Sequence, residues 1–129
     1  MKTNSFRKEE RLCNKRHINA LYQSGSSFLL YPFRVVFLPC DEIAVPVQVL
    51  ISVPKRRFKR AVDRNLLKRR IRESYRLKKS AFFSALHGRP LLLSFTYVGN
   101  KIEDYDTISK KMDAVLIKLQ NECAKVHLE

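Results

Sequence analysis

The residues of this chain that could do chemistry are concentrated in one stretch, SVPKRRFKRAVDRNLLKRRIRESYR, residues 52–76. Its functional groups are chiefly guanidinium and ammonium ions. Arg is suited to phosphate because its planar fork can pair two oxygens at once. On a helix turning by about 100° per residue, Asn65, Lys68, Arg69, Arg72 and Arg76 fall within an arc of about 100°. Leu67, Ile71, Ser74 and Tyr75 fill a neighbouring arc suited to docking on a sheet. Such a helix presents a row of cations while its other side is buried. Arg64 falls between the two arcs, and the wheel alone does not orient it. Asn65 could cap, bridge locally or donate to a nucleic acid, and spacing does not decide which.

The distribution of charge supports a phosphate-binding surface. The chain has 129 residues and a net charge of +14. Residues 55–79 hold 13 of its 26 Lys and Arg but only two acids, Asp63 and Glu73, so this segment alone carries +11. That much self-repulsion in a small protein implies a polyanionic partner. Nucleic acid is the first candidate and an anionic membrane surface the second. A merely solvated helix face would mix signs more evenly.

Other chemistries find little support. Cys13, Cys40 and Cys123 are far apart and form neither a CxxC pair nor a zinc spacing. They are expected to be reduced packing residues in a cytoplasmic protein. His17, His87 and His127 match no metalloprotease pattern, and three dispersed glycines cannot build a phosphate loop. Glu103, Asp104 and Asp106 resemble a carboxylate cluster, but at the start of a helix they are better read as capping its positive end. No apolar run is long enough to span a membrane, and MKTNSFRKEERL is not read as a secretory signal.

The elements that must position the basic segment can be placed by period and punctuation. With 45% hydrophobic residues, the chain is expected to form a single domain over residues 1–129. Asn14 caps a first helix running to about Ser24, with Gly25 as its stop. Residues 26–31 form a short strand broken at Pro32. Residues 33–38 form a second strand, with Phe33, Val35 and Phe37 on one face and Arg34, Val36 and Leu38 on the other. Residues 46–53 form a third strand. A long helix starts near Ala61, reaches as far as Leu86 and is ended by His87-Gly88-Arg89-Pro90. Residues 91–98 form a strand apolar enough to be central. A final helix spans about 106–126 and buries Ile108, Met112, Val115, Leu119 and Cys123. The order αβββαβα describes an α+β two-layer sandwich on a mixed or antiparallel sheet.

The basic segment also resembles the protein component of bacterial ribonuclease P. The family pattern is a basic loop, an Ala, Arg-Asn, a variable residue, an aliphatic residue, Lys-Arg, two further residues and Arg. Ala61, Arg64, Asn65, Leu67, Lys68, Arg69 and Arg72 fill it here, and the element order and length match over essentially the whole chain. Lys59 stands where many members have Gly. Leu66 stands where members usually carry a basic or polar residue, so one potential RNA contact is expected to be missing.

The resemblance implies a fold like the second domain of ribosomal protein S5, with the basic helix in a left-handed βαβ crossover. The usual handedness rule would give the opposite. It implies two RNA surfaces. The loop residues Lys55, Arg56, Arg57 and Arg60, with Arg64, Asn65, Lys68, Arg69, Arg72 and Arg76, would face the catalytic RNA. A cleft between the first helix and the sheet, using Ile18, Tyr22, Arg34, Val36 and Ser52, would guide the 5′ leader of precursor tRNA. Tyr22 would stack on a leader base or serve as a core aromatic. No side chain of this protein would be catalytic. Mg²⁺ would be bound mainly by the RNA subunit and the substrate, and no obligate protein partner is expected. The alternatives are an rRNA-binding or ribosomal protein of S5-like fold and, less compatible with the strand at 91–98, a helix-turn-helix DNA-binding protein.

Overall fold

The computed structural model describes residues 8–86 and 89–128. A 3₁₀ turn at Lys8–Glu10 leads into α1 (Lys15–Ser24), β1 (Ser26–Leu30), β2 (Phe33–Pro39), β3 (Val47–Ser52), α2 (Ala61–Ser84), β4 (Leu91–Tyr97) and α3 (Tyr105–Leu128). The four strands form one mixed sheet in the order β1-β2-β4-β3. β1 and β2 run antiparallel, as do β2 and β4, whereas β3 and β4 are parallel. Antiparallel neighbours close through short turns, but a parallel pair needs a crossover. Here α2 is that crossover, so the basic helix is tied to the edge strand β3 at its start and to the central strand β4 at its end.

Alternation along the strands divides the core in two. Phe33, Val35, Phe37, Val47, Val49, Leu91, Leu93 and Phe95 point to one face. They meet Leu67, Ile71 and Tyr75 of α2 and Ile108, Met112, Val115 and Leu119 of α3. The opposite face carries a smaller cluster of Val36, Leu92 and Ile43 under Leu21 of α1 and Leu12. The expected two-layer sandwich therefore gains a partial third layer. α1 has only one fully buried residue, Leu21, and covers only part of its face.

The helix ends follow local chemistry. Asn14 Oδ1 accepts from the backbone N–H groups of Arg16 and His17, capping α1. Asp104 accepts from Thr107 N at 2.8 Å, which holds its carboxyl below the usual carboxylate range. Glu103 and Asp106 flank that cap as the sequence suggests. Gly25 ends α1 as expected, but without the left-handed conformation common at helix ends: its φ is −73°. A Cβ there would lie 2.3 Å from Leu21 O and 2.9 Å from Val36 Cγ1, so glycine is required by close approach. The expected stop of α2 at His87-Gly88 lies outside the described residues.

The N-terminal segment is fastened by a buried ion pair. Lys79 Nζ donates to Glu10 Oε1 at 2.7 Å, with side chains only 4% and 9% exposed. Lys79 lies near the cationic arc of α2, yet it faces inward. Beyond it, Leu12 N donates to Val49 O and Arg11 bridges Val49. Removing one charge from a buried pair leaves the other without that counter-charge. Lys79→Met should therefore lower the unfolding free energy by about 3–5 kcal/mol. Glu10→Leu combined with Lys79→Met should recover most of that loss. Chemical denaturation of the two variants checks both statements.

Two buried tyrosines make alkaline stability predictable. Burial pushes Tyr97 up to about 12, although a hydrogen bond from the Glu103 backbone works in the other direction; the neutral hydroxyl donates to Lys101 O. Burial, with Glu10 nearby, raises Tyr75 further still. Unfolded tyrosines ionise near pH 10. The stabilisation is therefore complete below about pH 10 and is lost as pH rises through the folded values, by about 1.4 kcal/mol per pH unit for a group that stays protonated. Tyr97→Phe should flatten this decline. Phenolate absorbance recorded beside circular dichroism should show Tyr75 ionising only as the fold opens.

Candidate nucleic-acid interface

The loop before α2 is anchored by one aromatic side chain. Phe58 is buried against Tyr97, with ring centroids 5.9 Å apart, while Lys55, Arg56, Arg57, Lys59 and Arg60 remain exposed around it. Arg57 N and Phe58 N both donate to Pro54 O, which turns the chain toward α2. Arg64, which the wheel left unassigned, reaches back across this turn. Its Nη1 donates to Phe58 O at 2.9 Å and Lys59 O at 2.8 Å. A cation at these carbonyls fixes the loop against the first turn of the helix.

Along α2 the burial pattern matches the two arcs. Leu67, Ile71, Ser74 and Tyr75 are buried; Asn65, Arg69 and Arg72 are exposed; Lys68 is half-buried. Arg76 is engaged by Glu73 one turn earlier, through Nε at 3.1 Å and a second, shorter contact from Nη2 to Oε1. The Arg76 hydrogen bond holds the Glu73 carboxyl low, and Glu73 raises Arg76 in turn. Arg70 donates to Glu103 O, and Lys78 donates to Ser109 Oγ and pairs with Asp113 at 3.1 Å. With Arg64, Arg76 and Lys79, these make five basic side chains committed to protein partners. Lys55, Arg56, Arg57, Lys59, Arg60, Lys68, Arg69 and Arg72 form the outward surface. Leu66 is half-buried at its margin.

Sequence reasoning missed Arg11. It lines a cleft of about 210 Å³ together with Leu12, Cys13, residues 49–51, Lys68 and Arg72. The bridge to Val49 and the Glu10–Lys79 pair bring this N-terminal segment beside α2. A KEER run carries no sequence signal for that placement.

The second surface lies on the opposite face of the sheet. Cross-strand register places Arg34 beside Thr96 and Thr96 beside Ser52. The next row is Val36, Ser94 and Leu50. Arg34 is exposed, Ser52 and Ile18 are half-buried, and Val36, at 7% exposure, is floor rather than rim. Tyr22 is 50% exposed and shares a 2.7 Å hydrogen bond with Ser94 Oγ, so it is not a core aromatic. Ile18 packs against the smaller cluster. The sheet and α1 thus bring the five cleft residues to one face, and they add Ser94, Thr96 and the exposed Leu29 beside Arg34. Ser52, at the end of β3, leads directly into the basic loop.

The distinction between bracing and outward cations is measurable. Arg64→Ala should lower stability by about 1 kcal/mol, because two loop carbonyls lose a charged donor. Arg69→Ala and Arg72→Ala should each change stability by less than about 0.5 kcal/mol. Binding to a cognate RNA should weaken roughly 10³–10⁵-fold between about 50 and 200 mM salt if about 6–10 phosphates are contacted. Each outward substitution should reduce the slope of log affinity on log salt by about 0.7–0.9. Urea unfolding and a salt titration of RNA binding separate the two classes.

Comparison with known proteins agrees with this geometry. The family model described as Ribonuclease P matches residues 6–120. The ribonuclease P protein component of Porphyromonas gingivalis is 37% identical over 115 residues, covering 87% of this chain and 84% of its own. That of Petrotoga mobilis is 32% identical over 101 residues, covering 78% and 77%. Among solved structures, the RNase P protein of Staphylococcus aureus superposes with a TM-score of 0.71 at 25% identity, covering 85% of this chain and 94% of that one. The Thermotoga maritima RNase P protein shares the fold, with a TM-score of 0.67 over 83% and 94% of the two chains. These matches span the basic loop, α2 and the sheet together, and they favour a ribonuclease P subunit over an rRNA-binding or helix-turn-helix protein. The chain belongs to the ribonuclease P protein family.

Proposed function

We propose that this subunit binds the catalytic RNA through the outer arc of α2 and its preceding loop, and grips the 5′ leader of precursor tRNA in the cleft under α1. The observation that carries the first part is the sorting of charge. Eight cations are gathered on one outward surface, while the acids of the same segment, Asp63 and Glu73, are half-buried. The second part rests on an exposed Tyr22 and Arg34 over a floor of Val36 and Ser94. Stacking on an aromatic ring with a nearby cation is a means of holding single-stranded nucleic acid. A cytoplasmic location belongs to the same proposal. No helix among the described residues is long and apolar enough to cross a membrane.

Among the described residues, no three His, Cys, Asp or Glu come together in a group that could hold an ion. His87 and the side chain of His127 lie outside those residues. In this proposal Mg²⁺ is held mainly by the RNA subunit and the substrate, and no catalytic step is routed through this chain. What the protein supplies is fixed positive charge. It offsets phosphate repulsion between catalytic RNA and substrate that would otherwise be screened by free cations.

A cleavage assay across a Mg²⁺ series tests this reading with three samples: protein alone, catalytic RNA alone and the mixture. The protein alone should not cleave precursor tRNA. The mixture should cleave accurately at Mg²⁺ levels where the RNA alone is slow, and the gain should shrink as Mg²⁺ rises. Chelator-sensitive cleavage by nuclease-treated protein alone would show that the chain itself is the nuclease. A gain independent of Mg²⁺ would rule out charge substitution.

A further inference from the structure

The central strand carries a serine in an otherwise apolar row. Ser94 of β4 lies between Val36 of β2 and Leu50 of β3, and Leu92, the preceding residue on that face, is buried in the smaller cluster. Ser94 itself is 0% exposed. A hydroxyl buried among aliphatic side chains loses its water and needs a partner. That partner is Tyr22 Oη at 2.7 Å. Tyr22 comes from α1, on the other side of the groove, and half of its surface is in solvent.

This bond joins two elements that are otherwise loosely connected. α1 has one fully buried residue, and its last turn ends at Gly25 directly over Val36. A tyrosine held only at its Cα on such a helix would sample several rotamers. With the hydroxyl tied to the sheet, both side-chain torsions are fixed and the ring spans the groove from helix to strand. Arg34 lies one row along the same face, about 7 Å down the strand. A flat ring and a cation on one face can form a base-and-phosphate grip. Fixing the ring in advance lowers the ordering cost that stacking would otherwise incur.

We propose that Ser94 is a positioning residue, anchoring the Tyr22 hydroxyl so that the ring stands ready to stack on an unpaired base of the leader. This rests on the leader-binding reading of the cleft. It also separates Tyr22 from a generic aromatic: a phenylalanine would keep the stacking face and lose the anchor.

The experiment is a double-mutant cycle on the holoenzyme. Wild type, Tyr22→Phe, Ser94→Ala, the double variant and Tyr22→Ala are each assembled with the catalytic RNA. The quantity read is the ratio of affinity for precursor tRNA with a single-stranded leader to affinity for mature tRNA. Tyr22→Ala should lower the ratio by about 5- to 100-fold, the loss of one stacked base. Tyr22→Phe and Ser94→Ala should each lower it by about 2- to 10-fold, the worth of one hydrogen bond. The double variant should lose no more than either single one, and Ser94→Thr, which keeps a hydroxyl, should retain more of the ratio than Ser94→Ala. If Tyr22→Ala lowers the ratio while Tyr22→Phe and Ser94→Ala leave it intact, the ring works without its anchor; the positioning role is then wrong and the leader reading stands. If losses from Ser94→Ala and Tyr22→Phe simply add, Ser94 acts other than through Tyr22 and the proposal is overturned. If Tyr22→Ala itself leaves the ratio unchanged, the leader reading of this cleft fails. Since Tyr22 is half exposed, Tyr22→Phe keeps the fold testable even if Ser94→Ala lowers the thermal midpoint.

Discussion

The structure depends on α2 satisfying two opposed demands. As the crossover between two parallel strands, it must be held firmly on the sheet; as a carrier of cations, it must leave one side in water. Cations resist burial unless paired. Its apolar contact is therefore confined to a stripe including Leu67, Ile71, Tyr75 and Phe82, and much of the large core is supplied by strands and α3. The remaining charges on its flanks are tied to fixed partners. Arg64 goes to loop carbonyls, Arg70 and Lys78 to α3 and its approach, and Lys79 to Glu10. Each tie adds a constraint on where the outward field points.

Much of this was legible from residue types and period. The alternation in β2 separated the two core faces, the apolar run at 91–98 marked the central strand, and the arc of Leu67, Ile71, Ser74 and Tyr75 marked the docked side of α2. These features depend on spacing alone, and spacing survives folding. Features that depend on contacts between distant residues were not legible. Nothing in a KEER run shows that Glu10 will meet a lysine 69 positions away. Nor does the helical wheel show that Arg64 bends back to the preceding loop. Gly25 reads from sequence as a helix stop because glycine often follows helix ends, but spacing does not show that the constraint is the proximity of Leu21 O and Val36 Cγ1.

The cleft shows the same division. Tyr22, Arg34, Val36 and Ser52 were placed together through family resemblance, and register puts them on one face. Ser94 and Thr96 could not be picked out because a Ser or Thr in a strand is ordinary; their place opposite Val36 and Arg34 follows only from β2–β4 pairing. Tyr22 itself was undecided between core and cleft. Its 50% exposure excludes the core role.

The strand order also leaves β1 and β3 as the sheet's two edges. An open edge is a template for a neighbour's strand and a route to self-association. The two edges are treated differently. Along β3 the chain's own beginning lies against the rim: Leu12 N donates to Val49 O, and Gln48 Nε2 donates to Glu9 O. The segment that brings Arg11 to the basic cleft is thus also a guard strip against intermolecular pairing. β1 is short and polar at its start, Ser26-Ser27, and Lys118 of α3 lies over the Phe28 ring at 5.4 Å. Of the two sticky borders, one is covered by a tether and the other is limited by its brevity.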